Sequence, residues 1–169
     1  MEISKVTKGK KVYLDLLLLA DEQESMVDRY LERGELFVLR AGESVIAECV
    51  VTKEAPGVYE LKNIAVRPDC QRRGYGRRMI DFLMEQYPDC KTWLVGTGDV
   101  PSTLGFYQSC GFIESHRVPN FFTEHYDHPI FEDGQQLVDM VYLKRQSADE
   151  PRGGIAGLCG DDPSELQSV

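Results

Sequence analysis

The stretch from Glu60 to Tyr87 constrains the fold of this chain more than any other, because it joins a short strand to a helix through a glycine-bearing loop. The apolar strand ends at residues 64–66, a polar turn follows, and a helix is predicted to open directly after Gly74-Tyr75-Gly76. The first N–H groups of such a helix have no intrahelical partner and carry partial positive charge. This helix N-terminus therefore favours an anion.

Hydrogen-bond donors and positive charge surround the loop. The side chains concerned are Gln71, Arg72, Arg73, Arg77 and Arg78. Four arginines within seven residues are unusual in a chain that carries 28 acidic residues against 19 Lys and Arg. Glycines let a backbone approach a phosphate closely, and guanidinium groups bind phosphate oxygens. The loop is therefore predicted to bind a diphosphate, with ordinary turn chemistry on a solvated surface as the alternative.

The spacing of the glycines excludes the two commonest phosphate loops. A dinucleotide fingerprint needs a third glycine, and Met79 occupies that position. The lysine of a Walker loop is missing as well. The segments 35–41, 44–52 and 58–66 are rich in β-forming residues and are joined by turns at Gly42-Glu43 and Pro56-Gly57. They predict an antiparallel meander, not a doubly wound parallel sheet.

The rest of the chain completes an α+β fold with a mixed, mostly antiparallel sheet of about seven strands around a β-α-β unit. Further strands are predicted at 2–7, 91–97, 112–118 and 137–145. Four helices are predicted: one at 9–19, one that begins after a capping box formed by Asp21 and Glu24, one that begins at Gly76, and one that begins after a cap at Asp99. The crossover from 58–66 to 91–97 is expected to be parallel. We predict one domain over residues 1–145 and a flexible or docking tail over 146–169, which is rich in Gly, Pro, Asp and Ser.

Composition narrows the functional class. A formal charge of −9 argues against general nucleic-acid binding, which needs a basic face. The five cysteines are odd in number and lack paired spacing, so we expect reduced thiols. The acidic N-terminus does not resemble a signal peptide, and the apolar run 16–20 is too short to span a bilayer. These features predict a cytoplasmic protein without a membrane partner.

The pattern Val66-x-Pro68-x-x-Gln71-Arg72-x-Gly74-x-Gly76 closely resembles the pyrophosphate loop of the GNAT superfamily of N-acetyltransferases, and the element order matches that fold. The resemblance implies that acetyl-CoA is the co-substrate. It implies coenzyme A contacts from the strand end, the loop and the following helix: Ile64, Ala65, Val66, Gln71, Arg72, Arg73, Gly74, Tyr75, Gly76, Arg77, Ser102 and Tyr107. Ser102 replaces an asparagine that many members carry. The strand end is expected to splay from the next strand and offer backbone amides to the substrate.

Two catalytic residues follow from the same resemblance. Glu60 lies where several members carry a general base, with a solvated strand-end carboxylate as the alternative. Tyr107 belongs to a segment, Phe106-Tyr107-x-x-Cys110-Gly111-Phe112, that is similar to the superfamily signature F-Y-x-x-x-G-F. The resemblance implies that its phenol protonates the leaving thiolate, whereas core packing is the alternative.

The connection 116–136 is predicted to form a wall of the acceptor pocket, because it is rich in aromatic and acidic residues. Phe121, Phe122, Tyr126 and Phe131 are the candidate apolar surface, and Glu124, Asp127 and Glu132 the candidate counter-charges. His125 and His128 have no enforced ligand geometry, so no metal is predicted. The segment resembles a subset of small bacterial GNAT proteins.

The function expected from these residues is transfer of the acetyl group of acetyl-CoA to a primary amine of a small cationic molecule, in a ternary complex. Two alternatives remain: a non-catalytic coenzyme A-binding regulatory module, and an N-acetyltransferase acting on proteins or peptides. A Rossmann-type nucleotide binder is disfavoured by Met79 and by the meander. The resemblance also implies a homodimer, which is common among such proteins.

Overall fold

Three consecutive strands joined by glycine turns form the middle of the sheet in the computed structural model, which describes residues 1–147. The strands are β1 Glu2–Val6, β2 Glu35–Ala41, β3 Ser44–Ala55, β4 Val58–Val66, β5 Thr92–Gly98, β6 Ile113–Val118, β7 Phe131–Glu132, β8 Gln135–Gln136 and β9 Met140–Gln146. The helices are α1 Leu14–Ala20, α2 Glu24–Val27, α3 Tyr75–Gln86, α4 Pro101–Ser109 and α5 Phe121–His125.

Seven of these strands form one mixed sheet in the order β1-β2-β3-β4-β5-β9-β6. The pair β4–β5 is parallel, and the other five pairs are antiparallel. The predicted meander and the parallel β4-α3-β5 crossover are therefore confirmed, as is the α+β class. Gly42 and Gly57 adopt positive φ angles of 59° and 73° at the two meander turns, a conformation that glycine tolerates best.

The core lies on both faces of the sheet. On one face, the buried stripe of α3 packs against strands β3 to β5 and includes Met79, Ile80 and Leu83. On the other face, Leu17 of α1 and Val27 of α2 pack against β2 and β3. The strand ends that bear the predicted site are thereby held between two layers of helices.

The second helix is much shorter than its apolar spacing predicts. Residues 28–33 form turns instead of continuing α2, and the Lys10 ammonium binds the carbonyls of Leu31 and Gly34 at 2.9 and 2.7 Å. The predicted capping box is wrong, since Gln23 precedes α2 and no side chain caps it. Asp21 instead accepts hydrogen bonds from two tyrosines, as described below.

The predicted cap of α4 is also wrong. Val100 is the residue before this helix, and Asp99 instead forms an ion pair of 2.6 Å with Arg117 of β6. The long connection 116–136 contains α5 and the β7–β8 hairpin, and β9 starts at Met140, three residues later than predicted. Leu137 is buried against α5, which keeps it out of the strand.

Beyond Ser147 the predicted tail lies outside the described residues. The predicted domain boundary at 145 falls one residue before the end of β9. Within residues 1–147, the structure contains no helix long and apolar enough to cross a membrane.

Candidate active site

Strands β4 and β5 diverge along their second halves. Their parallel pairing runs from Val58 with Thr92 to Leu61 with Val95 and stops there. Beyond that point β4 continues along β3 as far as Val66, while β5 continues along β9 as far as Gly98. The facing edges of the two strands therefore have backbone N–H and C=O groups that no ladder uses, and a bound molecule can take them as partners.

A β-bulge in β4 marks the start of this gap. Val50 of β3 pairs with Asn63 and Val51 with Leu61, so that Lys62 opposes no residue of β3. An extra residue reverses the alternation of side chains along the strand. Glu60 and Asn63 consequently face the same side, towards α1 and α2.

The predicted diphosphate loop has the backbone conformation that its sequence requires. Gly74 precedes α3 with φ 89°, and Arg72 also has a positive φ, 62°. The side chain of Gln71 donates to the Val66 carbonyl at 3.1 Å and ties the loop to the end of β4. Gly76 is buried, and a Cβ at this position would lie 3.2 Å from the ring of Phe106. Gly76 thus allows α3 to pack closely against α4.

The arginines of the loop differ in their exposure. Arg72 and Arg73 are exposed, and Arg77 is half-buried on α3. Arg78 turns towards the N-terminus, where it lies 3.5 Å from the Met1 carbonyl. The two exposed guanidinium groups of Arg72 and Arg73, beside the start of α3, fit a diphosphate, since both the helix N-terminus and the arginines attract its charge.

Glu60 is a buried carboxylate with two partners. Its Oε1 accepts a hydrogen bond of 3.1 Å from Tyr142, and its Oε2 lies 3.1 Å from the Lys62 ammonium. Only 9% of its side chain is exposed. Burial raises the pKa of Tyr142, and the negative charge of Glu60 raises it further. The phenol therefore remains a donor to Glu60 at neutral pH.

Tyr107 lies on the opposite face of the sheet, on α4. It is 1% exposed and packs edge-on against Phe112. Burial raises the pKa of its phenol, so the group is protonated at neutral pH. Tyr107 lines neither of the two clefts that open on the α1–α2 side of the gap between β4 and β5.

Ser102 is engaged by the β7–β8 hairpin. Its hydroxyl donates to Asp133 at 2.5 Å, and the neighbouring Thr103 donates to Glu132 at 2.5 Å. These two bonds hold an acidic hairpin against the first turn of α4. Burial raises the pKa of Glu132. A ligand that bonds Ser102 in place of the family's asparagine would have to share this hydroxyl with Asp133.

Two adjoining clefts open on the α1–α2 side of the gap. The first, of about 360 Å³, runs from Gln71 past Thr97 to Phe122 and Glu132. The second, of about 340 Å³, is lined by α2, by Glu60 and by Tyr142. They share five wall residues: Asp21, Lys62, Gly96, Tyr126 and Met140.

Some of the residues predicted to form the acceptor pocket line the two clefts, and others do not. Phe122 lines the first cleft, Phe121 the second, and Tyr126 both. Glu124 is exposed on α5 and lines neither cleft. Asp127 is also exposed, 2.5 Å from His128. Within residues 1–147, no three His, Cys, Asp or Glu side chains are close enough to hold a metal ion.

Sequence reasoning missed Asp21, which it treated as a helix cap. Its carboxylate accepts hydrogen bonds from Tyr126 at 2.7 Å and from Tyr30 at 3.1 Å. The Tyr30 hydroxyl in turn accepts from Asn63 at 3.0 Å. Burial raises the pKa of Asp21. Because Tyr126 is 105 residues away in sequence, no local pattern signalled this arrangement.

Comparison with known proteins agrees with this geometry. Residues 32–114 match the acetyltransferase (GNAT) domain family. The chain is 40% identical over 132 residues to the uncharacterised N-acetyltransferase YvbK of Bacillus subtilis, covering 76% of this chain and 85% of that protein.

Two solved structures are similar over most of the chain. A GNAT family acetyltransferase from Elizabethkingia anophelis, with acetyl-CoA bound, has a TM-score of 0.82 at 32% identity, covering 86% of this chain and 97% of that one. A B. subtilis acetyltransferase in complex with CoA has a TM-score of 0.79 at 36% identity, covering 86% and 98%. The loop, the diverging strands and these relatives together show that the chain belongs to the GNAT superfamily of acetyltransferases.

Proposed function

We propose that this GNAT N-acetyltransferase transfers the acetyl group of acetyl-CoA to a primary amine of a small cationic molecule, by direct attack in a ternary complex. The observation that carries the proposal is the course of the first cleft, which links the diphosphate loop at Gln71 to the acidic wall at Asp21 and Glu132 through the gap beside Thr97. A thioester entering from the loop and an amine entering from the acidic side would meet in that gap.

The residues that fit coenzyme A lie along the loop and the strand end. The α3 N-terminus and the exposed guanidinium groups of Arg72 and Arg73 suit the diphosphate. Further contacts are proposed for Ile64, Ala65, Val66, Gln71, Gly74, Tyr75, Gly76, Arg77 and Ser102. The free edge of β4 suits the amides of the pantetheine arm, which an extended chain can bond as another strand would.

Glu60 acts as the general base and Tyr107 as the general acid. Glu60 accepts a proton from the acceptor ammonium, directly or through water, so that the nitrogen lone pair can attack the thioester carbonyl carbon. The attacking nitrogen loses its remaining extra proton to solvent, and the carbon–sulfur bond breaks. Tyr107 gives its proton to the departing thiolate, and both Tyr107 and Glu60 return to their starting protonation states by exchange with solvent. Backbone N–H groups of the diverging end of β4, at residues 64–66, stabilise the oxyanion that forms in between.

Direct attack is favoured over an acetylated cysteine. The four cysteines among the described residues are buried free thiols. Burial raises the pKa of Cys110, the one nearest the proposed acid in sequence. A buried neutral thiol is a weak nucleophile, since the thiolate is the reactive form.

The acceptor class follows from the first cleft. Among the described residues, four carboxylates line it, from Asp21, Glu22, Glu132 and Asp133, against one ammonium, that of Lys62. The apolar side chains of Phe122 and Met140 lie among them. Such a cleft suits a short amine with an aliphatic body. Arg29 and Arg33 line the second cleft, where Arg33 is paired with Glu54.

The test is acetyl-CoA-dependent acetylation across small monoamines, diamines, aminoglycosides and basic peptides, with the product identified by mass spectrometry. We expect the small amines to be acetylated faster than the peptides. Faster acetylation of peptides would overturn the acceptor class. Binding of coenzyme A without turnover of any acceptor would overturn the enzyme assignment in favour of a regulatory module.

A further inference from the structure

The carboxylate of Asp21 is partly buried and has no salt-bridge partner among residues 1–147. Its two side-chain hydrogen bonds come from neutral phenols, those of Tyr30 and Tyr126. Two of the nearby cations are paired with other carboxylates, Lys62 with Glu60 and Arg33 with Glu54. Arg29 lines the second cleft and donates to the neutral sulfur of Met26, not to Asp21. A partly buried carboxylate without a counter-charge has lost part of its hydration, and an arriving ammonium would offset that cost.

The position of Asp21 allows its carboxylate to bind a cationic group of a ligand. It lies in the wall that the two clefts share, so a ligand in either cleft can reach it. Glu60, the proposed base, lines the second cleft. An acceptor with its reacting amine at Glu60 can therefore place a second cationic group beside Asp21.

A second, independent feature also points to a ligand in the first cleft. Thr97 lines this cleft and is 1% exposed, and its hydroxyl has no hydrogen-bond partner within residues 1–147. A buried polar group without a partner costs free energy that a bound molecule can recover. Within the described residues, the first cleft therefore contains two polar groups that a ligand can satisfy: the Asp21 carboxylate, which lacks a counter-charge, and the Thr97 hydroxyl, which lacks a hydrogen-bond partner.

The carboxylate is also held in a fixed position. Tyr126 reaches Asp21 from the end of α5, and the Asp127 amide donates to Gln23 at 2.9 Å beside it. Tyr30 is itself fixed by Asn63, at 3.0 Å. A carboxylate oriented from both sides loses little freedom when it binds a cation, which favours affinity and selectivity.

We propose that Asp21 is a specificity-determining residue that binds a second, non-reacting ammonium group, so that the enzyme selects aliphatic diamines and polyamines over monoamines of equal length. The inference rests on the proposed function for the identity of the reacting amine. Recognition of the second ammonium depends only on Asp21 and the clefts. Tyr30 and Tyr126 act as positioning residues for its carboxylate.

The test compares 1,4-diaminobutane with 1-aminobutane for the wild type, Asp21→Asn and the control Glu24→Gln, which alters an exposed residue paired with Lys11 outside both clefts. We expect the ratio of kcat/KM for diamine over monoamine to fall about tenfold to a hundredfold in Asp21→Asn, as for loss of a charged hydrogen bond. The ratio should persist in Glu24→Gln. A purely structural role would lower both rates and leave the ratio unchanged, which would overturn the proposal.

A binding measurement separates this inference from the proposed function. Titration calorimetry of the coenzyme A-loaded protein should show tighter binding of 1,4-diaminobutane than of 1-aminobutane, without any turnover. If that preference depends on Asp21 while no amine is acetylated, the proposed function fails and the inference stands. Equal binding of the two amines by the wild type would overturn the inference, even if Asp21→Asn did not fold.

Discussion

Tyr142 of β9 donates a 3.1 Å hydrogen bond to Glu60 of β4, although β5 lies between these two strands. The bond passes over Gly96, which pairs with Tyr142 in the sheet. A Cβ at Gly96 would lie 3.1 Å from the tyrosine ring and 2.6 Å from the sulfur of Met140. The missing side chain at Gly96 therefore allows Tyr142 to reach the proposed base.

Gly96→Ala should consequently reduce the activity of the enzyme more than its stability. The added methyl group pushes Tyr142 and Met140 away, and we expect kcat to fall about tenfold, with a loss of about 1–3 kcal/mol in the free energy of unfolding from overpacking. Steady-state kinetics and urea denaturation measure the two effects. Gly105→Ala is the matched control, because nothing lies within 4 Å of its Cβ and alanine favours α4. Unchanged kcat in Gly96→Ala would show that the Tyr142 bond is dispensable.

Glu60→Gln tests the general base. The amide keeps the size of the side chain but cannot accept the amine proton, so we expect kcat to fall about 100-fold or more at neutral pH. The remaining rate should rise with pH, because more of the amine is then neutral in solution. A pH–rate profile of wild type and variant measures this. The control is Glu43→Gln, because Glu43 is exposed and lines neither cleft. Identical profiles for Glu60→Gln and wild type would remove Glu60 from the mechanism.

Most of the fold could be predicted from the sequence, because strands and helices follow local patterns. The bounds of β2 and β4 match their apolar segments residue for residue, and the apolar stripe of α3 is regular. The turns after α2 could not be predicted, since they depend on the Lys10 ammonium reaching carbonyls more than twenty residues away.

The site was less predictable for the same physical reason. The loop and Tyr107 carry local signatures, whereas the bulge at Lys62 exists only through the register between β3 and β4. Asp21 has the local sequence of a cap, but Tyr126 and Tyr30 provide better partners from elsewhere in the chain. Long-range contacts of this kind leave no periodic signal in a single sequence.

The buried Glu48 of β3 should make stability depend on pH. It is fully buried, neither oxygen has a partner within the described residues, and burial raises its pKa well above 4.5. Below pH 4.5 the carboxyl is protonated in both the folded and the unfolded state. At higher pH the unfolded state releases the proton and the folded state keeps it. The free energy of unfolding therefore falls by about 1.4 kcal/mol per pH unit until the folded pKa is reached.

Glu48→Gln removes this titration. Relative to the variant, the wild type should lose stability as pH rises from 4.5, whereas the exposed control Glu43→Gln should follow the wild type. Urea denaturation at several pH values measures the difference. A constant gap between wild type and Glu48→Gln across this range would contradict the assigned pKa direction.

Gly74→Ala tests the diphosphate loop. Gly74 has φ 89°, so alanine there costs about 1 kcal/mol or more and shifts the first turn of α3. We expect weaker coenzyme A binding in a calorimetric titration. Gly57→Ala introduces similar strain, at φ 73°, in the β3–β4 turn at the opposite end of β4 and should leave coenzyme A affinity unchanged. Equal affinities in both variants would place the diphosphate elsewhere.

The most direct test of the account is thiol release from acetyl-CoA, with and without 1,4-diaminobutane, by wild type and Tyr107→Phe. The wild type should release thiol in an amine-dependent reaction. Tyr107→Phe should be about 100-fold slower while still binding coenzyme A, because it lacks only the proton for the leaving thiolate. Amine-independent thiol release by the wild type, or full activity in Tyr107→Phe, would contradict the account.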